Sequence, residues 1–135
     1  MNNDKQFDTP VQPNSAVIQI FTDGSGARPD GKGSGFAWVR KDTGEKKIVR
    51  EDRLTNNQAE YRAILAAVEY LPEGSRAEVF SDSENTCCQL NGQRRVLDPT
   101  LADLHARISE LIERKKLAIT FRWIPRRENL AGKLI

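Results

Sequence analysis

The chain of 135 residues, 38% apolar and 30% charged, reads as one soluble domain with its own core, and this composition excludes coiled-coil, collagen-like and disordered classes. No apolar run approaches the ~20 residues a membrane span needs, and the polar opening MNNDKQFDTPVQPNS holds no signal-peptide core, so the expected compartment is the cytoplasm. A formal net charge of +2 is too small for the chain to act as a polycation, which leaves Arg94-Arg95, Arg114-Lys115-Lys116 and Arg126-Arg127 with Lys133 as local basic patches.

Residues 1–15 carry two prolines, three asparagines and little to bury, and read as a flexible segment ahead of a domain over residues 16–135. The run AVIQIFT, Ala16 to Thr22, is apolar and β-branched on both faces, as a central strand covered on two sides would be, and it ends in Asp-Gly-Ser-Gly. GFAWVR and EKKIVRE flank the turn residues Lys41-Asp42-Thr43-Gly44 and predict an antiparallel hairpin. Thr55-Asn56-Asn57-Gln58 fits the T-x-x-Q capping box, so a helix is expected from Asn56 to about Tyr70, stopped by Pro72 and Gly74. AEVFS, Ala77 to Ser81, is a buried strand that a right-handed crossover lays parallel to the first.

Ser81 to Glu84 forms a second capping box that opens a short helix. That helix carries Cys87 and Cys88, which are adjacent and share the chain with a single histidine, His105. They suit neither a disulfide nor a zinc site and read as packing thiols. A longer helix from Pro99 has Leu101, Leu104, Ile108, Leu111 and Ile112 as a core-facing stripe. LAITFRWI alternates as the last strand, with a stub from Glu128 to Ile135 beyond it. The order β-β-β-α-β-α-α-β predicts an α/β fold, a mixed sheet with its first three strands antiparallel and helices on both faces.

Three carboxylates fall at informative places: Asp23 after the first strand, Glu60 one turn inside the first helix, and Asp82 after the fourth strand. Parallel neighbours would put Asp23 and Asp82 side by side at the strand ends where α/β folds place their sites, and the helix start lies near the same end. Clustered carboxylates repel unless a cation sits between them, and an all-oxygen set favours Mg²⁺ or Mn²⁺. Two such ions about 4 Å apart can activate a water and stabilise the leaving oxygen of a phosphodiester. Each residue has an ordinary alternative, since Asp-Gly is turn chemistry, Asp82 can cap the helix after it and Glu60 can be a solvated helix position. Against these, Ser81 and Ser83 already supply caps beside Asp82. Five glycines within the thirteen residues Asp23 to Gly35 also give more backbone freedom than a turn requires, as close approach to a ligand would need.

The runs FTDGSG, LTNNQAEYRAILAAVE, FSDSE followed by QLNG, and FRWIPRREN occur in the order, and with roughly the spacing, of type 1 ribonuclease H. From Ala16 to Asn129 the chain resembles that family, its compact prokaryotic branch most closely. The resemblance implies a five-stranded mixed sheet in which only the second strand is antiparallel to both neighbours. It implies hydrolysis of the RNA strand of RNA/DNA hybrids with two Mg²⁺ or Mn²⁺ ions, giving 5′-phosphate and 3′-hydroxyl ends. Asp23, Glu60 and Asp82 match the family's first three metal-binding carboxylates. Gly24 and Ser25 are expected substrate contacts, as are Thr55, Asn56 and Asn57, which match a loop on the sugar-phosphate backbones. Arg126 falls where many relatives carry a catalytic His and is expected to assist the attacking water or product release.

The chain departs from the family pattern in places. The link from Gln93 to Pro99 is too short for the Lys/Arg-rich helix some relatives use as a basic handle, which predicts weaker and more salt-sensitive binding. The family's fourth carboxylate, an Asp in N-x-x-A-D-x-L-A, is missing. With Asn129 on the family Asn, Lys133 falls on the Asp. In the preferred register, shortened by a few residues, Asn129 itself takes that place and offers its side-chain carbonyl as an uncharged metal ligand. Glu128 is the remaining substitute. Two other functions fit parts of this pattern. A hybrid-binding module that has lost catalysis would explain the missing carboxylate but not the three retained ones, and a DNA strand-transfer enzyme of the wider superfamily should lack the TNN-x-AE run. A monomer is the default expectation.

Overall fold

Val17, Ile18, Ile20 and Phe21 favour extended backbone, and the strand they begin, β1 (Val17–Ser25), becomes the centre of the sheet. The structure is a computed structural model that describes residues 16–29 and 33–135; the segment expected to be flexible, residues 1–15, lies outside the described residues. After β1 come β2 (Gly35–Arg40), β3 (Lys46–Arg50), α1 (Asn56–Tyr70), β4 (Arg76–Ser81), α2 (Glu84–Leu90), α3 (Pro99–Arg114) and β5 (Ala118–Trp123). Two 3-10 turns, Arg126–Glu128 and Leu130–Lys133, close the chain. The strand order is β3-β2-β1-β4-β5, and only β2 is antiparallel to both neighbours.

β1 outruns the expected strand by three residues, because Asp23, Gly24 and Ser25 pair with Ala37, Phe36 and Gly35 of β2. Asp23 therefore stands inside a strand rather than in a turn. The capping box forms as expected: the Thr55 hydroxyl accepts from the Gln58 N–H and the Gln58 side chain accepts from the Thr55 N–H, both at 3.0 Å. At the other end of α1, the Lys115 ammonium donates to the Val68 and Glu69 carbonyls, so this member of a basic patch is a helix cap. α2 starts two residues later than the second box predicts. Ser81 is still in β4, paired with Trp123, and Ser83 provides the cap by accepting from the Thr86 N–H.

Ile20 and Val79 of the sheet, Ile64 and Val68 of α1 and Ile108 of α3 are fully buried together, each contributing roughly 1.5–3 kcal/mol of transfer free energy. Leu101 and Leu104 join them, while Leu111 and Ile112 pack at the edge of the cluster. α2 is tied to this layer through Gln89, whose side chain accepts from the Tyr61 hydroxyl at 2.6 Å and whose backbone carbonyl meets His105. The α-helices thus lie over the face that carries Ile20 and Val79. The opposite face carries the stacked rings of Phe21 and Phe80 and, at the Asp23 end, the last 3-10 turn. Cys87 is buried and Cys88 half-buried, both free, and burial pushes the Cys87 thiol up to about 12, which suits a packing role.

Candidate active site

β1 and β4 run parallel with Phe21 beside Phe80, so two residues further on Asp23 and Asp82 emerge together at the C-terminal end of the strands. Glu60 reaches them because α1 begins against β1. A Cβ on Gly24 would lie 2.2 Å from the Ala59 carbonyl carbon and 2.5 Å from the Glu60 nitrogen, so no larger residue fits there. The Gly24 N–H donates to a Glu60 carboxylate oxygen at 3.1 Å, and the Gly26 N–H donates to the Asn56 side-chain carbonyl at 2.8 Å. One oxygen from each of Asp23, Glu60 and Asp82 lies within 4.8 Å of the others.

Holding three acids this close is unfavourable without a cation. Burial, followed by the charge of Asp82, raises the Asp23 carboxyl to about 6. Burial and then the charges of Asp23 and Asp82 raise Glu60 to about 9. The Gly24 N–H and the Arg126 guanidinium pull both values the other way without reversing them. An oxygen-only donor set beside a cleft of about 580 Å³ suits a hard divalent ion, and these three carboxylates are the residues that could hold one.

The cleft is lined by most of the expected site residues: Asp23, Gly24, Ser25, Asn56, Asn57, Glu60, Asp82 and the exposed Arg126. Gly24 differs from the expectation of a substrate contact in one respect, since its N–H is engaged by Glu60. Thr55 does not line the cleft and its hydroxyl caps α1. The structure adds Trp123, half exposed, whose indole N–H donates to the Asp82 backbone carbonyl at 3.2 Å. Its place at the end of an alternating strand was visible in the sequence, but its partner was not.

Asn129 is where the structure departs most from expectation. It is 4% exposed, and its side-chain carbonyl accepts from the Ala131 N–H at 3.0 Å. Its amide donates to the Thr22 carbonyl at 2.9 Å and to an Asp82 carboxylate oxygen at 3.0 Å. Turning the amide over would set donor against donor at Ala131 and acceptor against acceptor at Thr22 and Asp82, so the partners fix the orientation. The carbonyl expected to serve as a metal ligand is thus turned away, and Asn129 holds Asp82 as a donor instead. Glu128 is exposed beside Arg127 and does not line the cleft, and Lys133 is also exposed.

The family model of RNase H matches residues 15–131. The chain belongs to the RNase H family. Ribonuclease HI of Helicobacter pylori is 37% identical over 75 residues, which is 55% of this chain and 52% of that protein. The chain spans about half the length of the curated relatives it matches. LC11-RNase H1, isolated from compost by a metagenomic approach, matches with a TM-score of 0.76 and 34% identity over 87% of this chain and 91% of its own. The structure of LC11-RNase H1 in complex with an RNA/DNA hybrid matches with a TM-score of 0.75 and 31% identity, over 87% of this chain and 92% of that one.

Within the RNase H pattern N-x-x-A-D-x-L-A, the structure favours a register that differs from both of those read from the sequence. One residue fewer between the Asn and the Ala keeps Asn129 and Ala131 on the pattern and sets Gly132 against the pattern's Asp. Gly132 lines the cleft, and a Cβ built on it would lie 3.8 Å from an Asp23 carboxylate oxygen. The signal that could have found it is Ala131 followed three residues later by Leu134, once a single deletion is allowed.

Proposed function

We propose that this RNase H chain is an endoribonuclease that hydrolyses the RNA strand of RNA/DNA hybrids, using Mg²⁺ or Mn²⁺, two ions per site, held by Asp23, Glu60 and Asp82. The observation that carries this reading is the convergence of three carboxylates from three separate elements within 4.8 Å, an arrangement costly to the fold unless cations neutralise it. Asp23, Glu60 and Asp82 would hold such ions, and the chemistry these would supply is activation of an attacking water and charge offset on the leaving oxygen, with 5′-phosphate and 3′-hydroxyl ends as the products.

The chain's own groups position the rest. Gly24 holds the Glu60 carboxylate and Asn129 holds that of Asp82, so neither acid has to reorganise when a cation arrives. Asn56 and Asn57 stand at the N-terminus of α1, where free N–H groups and the helix dipole favour a backbone phosphate. Arg126, at the cleft, adds a fixed positive charge for the scissile phosphate and the departing product. Discrimination rests on the wide minor groove and the 2′-hydroxyls of an A-like duplex, so sequence preference is slight. No helix among the described residues is long and apolar enough to cross a membrane, and a cytoplasmic monomer is the setting we assign.

The test is one incubation with labelled RNA/DNA hybrid, duplex DNA and duplex RNA, with and without Mn²⁺. Cutting of the RNA strand of the hybrid alone, and only with the ion, is the expected result. Binding without cutting would make the chain a hybrid-binding module, and joining of DNA ends would make it a strand-transfer enzyme.

A further inference from the structure

The wall of the cleft formed by the last 3-10 turn holds a residue whose absence of a side chain has no conformational cause. Gly132 is not among the glycines with positive φ, which among the described residues are Gly44, Gly74 and Gly92. The nearest atoms to a Cβ built on it are an Asp23 carboxylate oxygen at 3.8 Å, the Arg126 carbonyl oxygen at 3.9 Å and the Asn129 Cβ at 3.9 Å, all ordinary contact distances. A Cβ could stand here without strain, and a side chain would begin its path beside Asp23. The turn that carries Gly132 is itself pinned, because Asn129 is buried on Thr22, Asp82 and the Ala131 N–H, and the Gly132 N–H donates to the Asn129 carbonyl at 3.0 Å. The space beside Asp23 is therefore a built feature of the site.

We infer that Gly132 marks an omitted acidic ligand. The site takes its divalent cations with three carboxylates, and water or a phosphate oxygen of the substrate completes the coordination on the Gly132 side. This rests on the reading of Asp23, Glu60 and Asp82 as a divalent-cation site. The consequence is a centre that binds ions weakly by itself and more tightly once a phosphodiester is present, because cation affinity follows the number of anionic ligands. Asn129 takes no part as a ligand and acts as a positioning residue for Asp82.

The test titrates Mn²⁺ into the full chain, with free Mn²⁺ followed by its electron paramagnetic resonance signal and thermal melts recorded in Mn²⁺ and in chelator. The proteins are the wild type, Gly132→Asp, Gly132→Asn and Asp23→Asn. Gly132→Asp is expected to bind Mn²⁺ at least about tenfold more tightly than the wild type and to gain more melting temperature from the ion. Gly132→Asn should resemble the wild type, since it fills the space without charge. A folded Gly132→Asp with wild-type affinity, or one that fails to fold even with Mn²⁺, would overturn the inference. Equal tightening in Gly132→Asn would do the same. If Asp23→Asn leaves Mn²⁺ binding untouched, the cation-site reading itself fails, and this inference fails with it.

Discussion

Two glycines face the same carboxylate cluster from different parts of the chain, and they are glycine for opposite reasons. At Gly24 the backbone of α1 comes so close that a methyl group would collide with Ala59 and Glu60. At Gly132 there is room for a side chain and no positive φ to exclude one. The β1–α1 contact is a matter of packing, and any change there moves Glu60. At Gly132 a Cβ would meet only ordinary contacts, so a change there bears on what the cleft wall offers rather than on packing. The cleft is thus open to change at one wall and locked at the other.

The sharpest way to break this comparison is to add a methyl group to each. Gly24→Ala should cost about 3 kcal/mol, the upper range of overpacking, and displace Glu60, while Gly132→Ala should leave the unfolding midpoint unchanged. Equal costs in denaturant titrations would mean the two walls do not differ. Next in size is Asn129→Ala, which leaves the Thr22 carbonyl and the Ala131 N–H unpaired in a buried place, for about 1–3 kcal/mol. Asn129→Asp should cost at least as much in chelator, since it sets a carboxylate oxygen against Thr22 and Asp82. A ligand carbonyl at Asn129 would instead make Asp the milder change.

The locked wall also carries a pH signature. A carboxyl whose folded pKa is raised holds its proton more tightly in the folded state, so its contribution to stability falls as pH rises from the ordinary value to the folded one. In chelator the wild type should lose stability relative to Glu60→Gln as pH climbs from about 4.5 to about 9, with a smaller loss from Asp23 between about 4 and about 6. Melting curves for the two proteins that stay parallel across this range would contradict the electrostatics described for the site. The smallest stability effect is expected at Arg126→Ala, an exposed residue whose removal should lower turnover more than hybrid affinity. Loss of affinity with turnover intact would make Arg126 a phosphate anchor alone.

The same two regions show how far the sequence could be read. α1, its capping box and the three carboxylates were legible because each depends on residues near in the chain: Thr55 with Gln58, or a strand pattern ending beside an acid. The close approach of Gly24 to Ala59 was legible only as an excess of glycines, since it requires knowing which elements touch. The cap of α2 was misplaced by two residues because pairing with Trp123 keeps Ser81 in the sheet, a partner 42 positions away in chain order that no local pattern reveals. The C-terminal turn was least legible. Asn129 draws its meaning from Thr22 and Asp82, both distant in sequence, and its orientation follows from their lone pairs rather than from its own type. The register of the last residues turns on a single deletion, and what favours it is the placement of Gly132 beside Asp23, which no local pattern reveals.

The central claim is that the Asp23, Glu60 and Asp82 cluster cuts the RNA strand of a hybrid, and the most direct measurement compares wild type with Asp82→Asn on one end-labelled RNA/DNA hybrid in the presence of Mn²⁺, with melts run in parallel. The wild type should cut the RNA strand to products with 5′-phosphate ends, and Asp82→Asn, as stable as the wild type or more so without metal, should cut none. Cleavage by Asp82→Asn at the wild-type rate would show that the chemistry lies elsewhere.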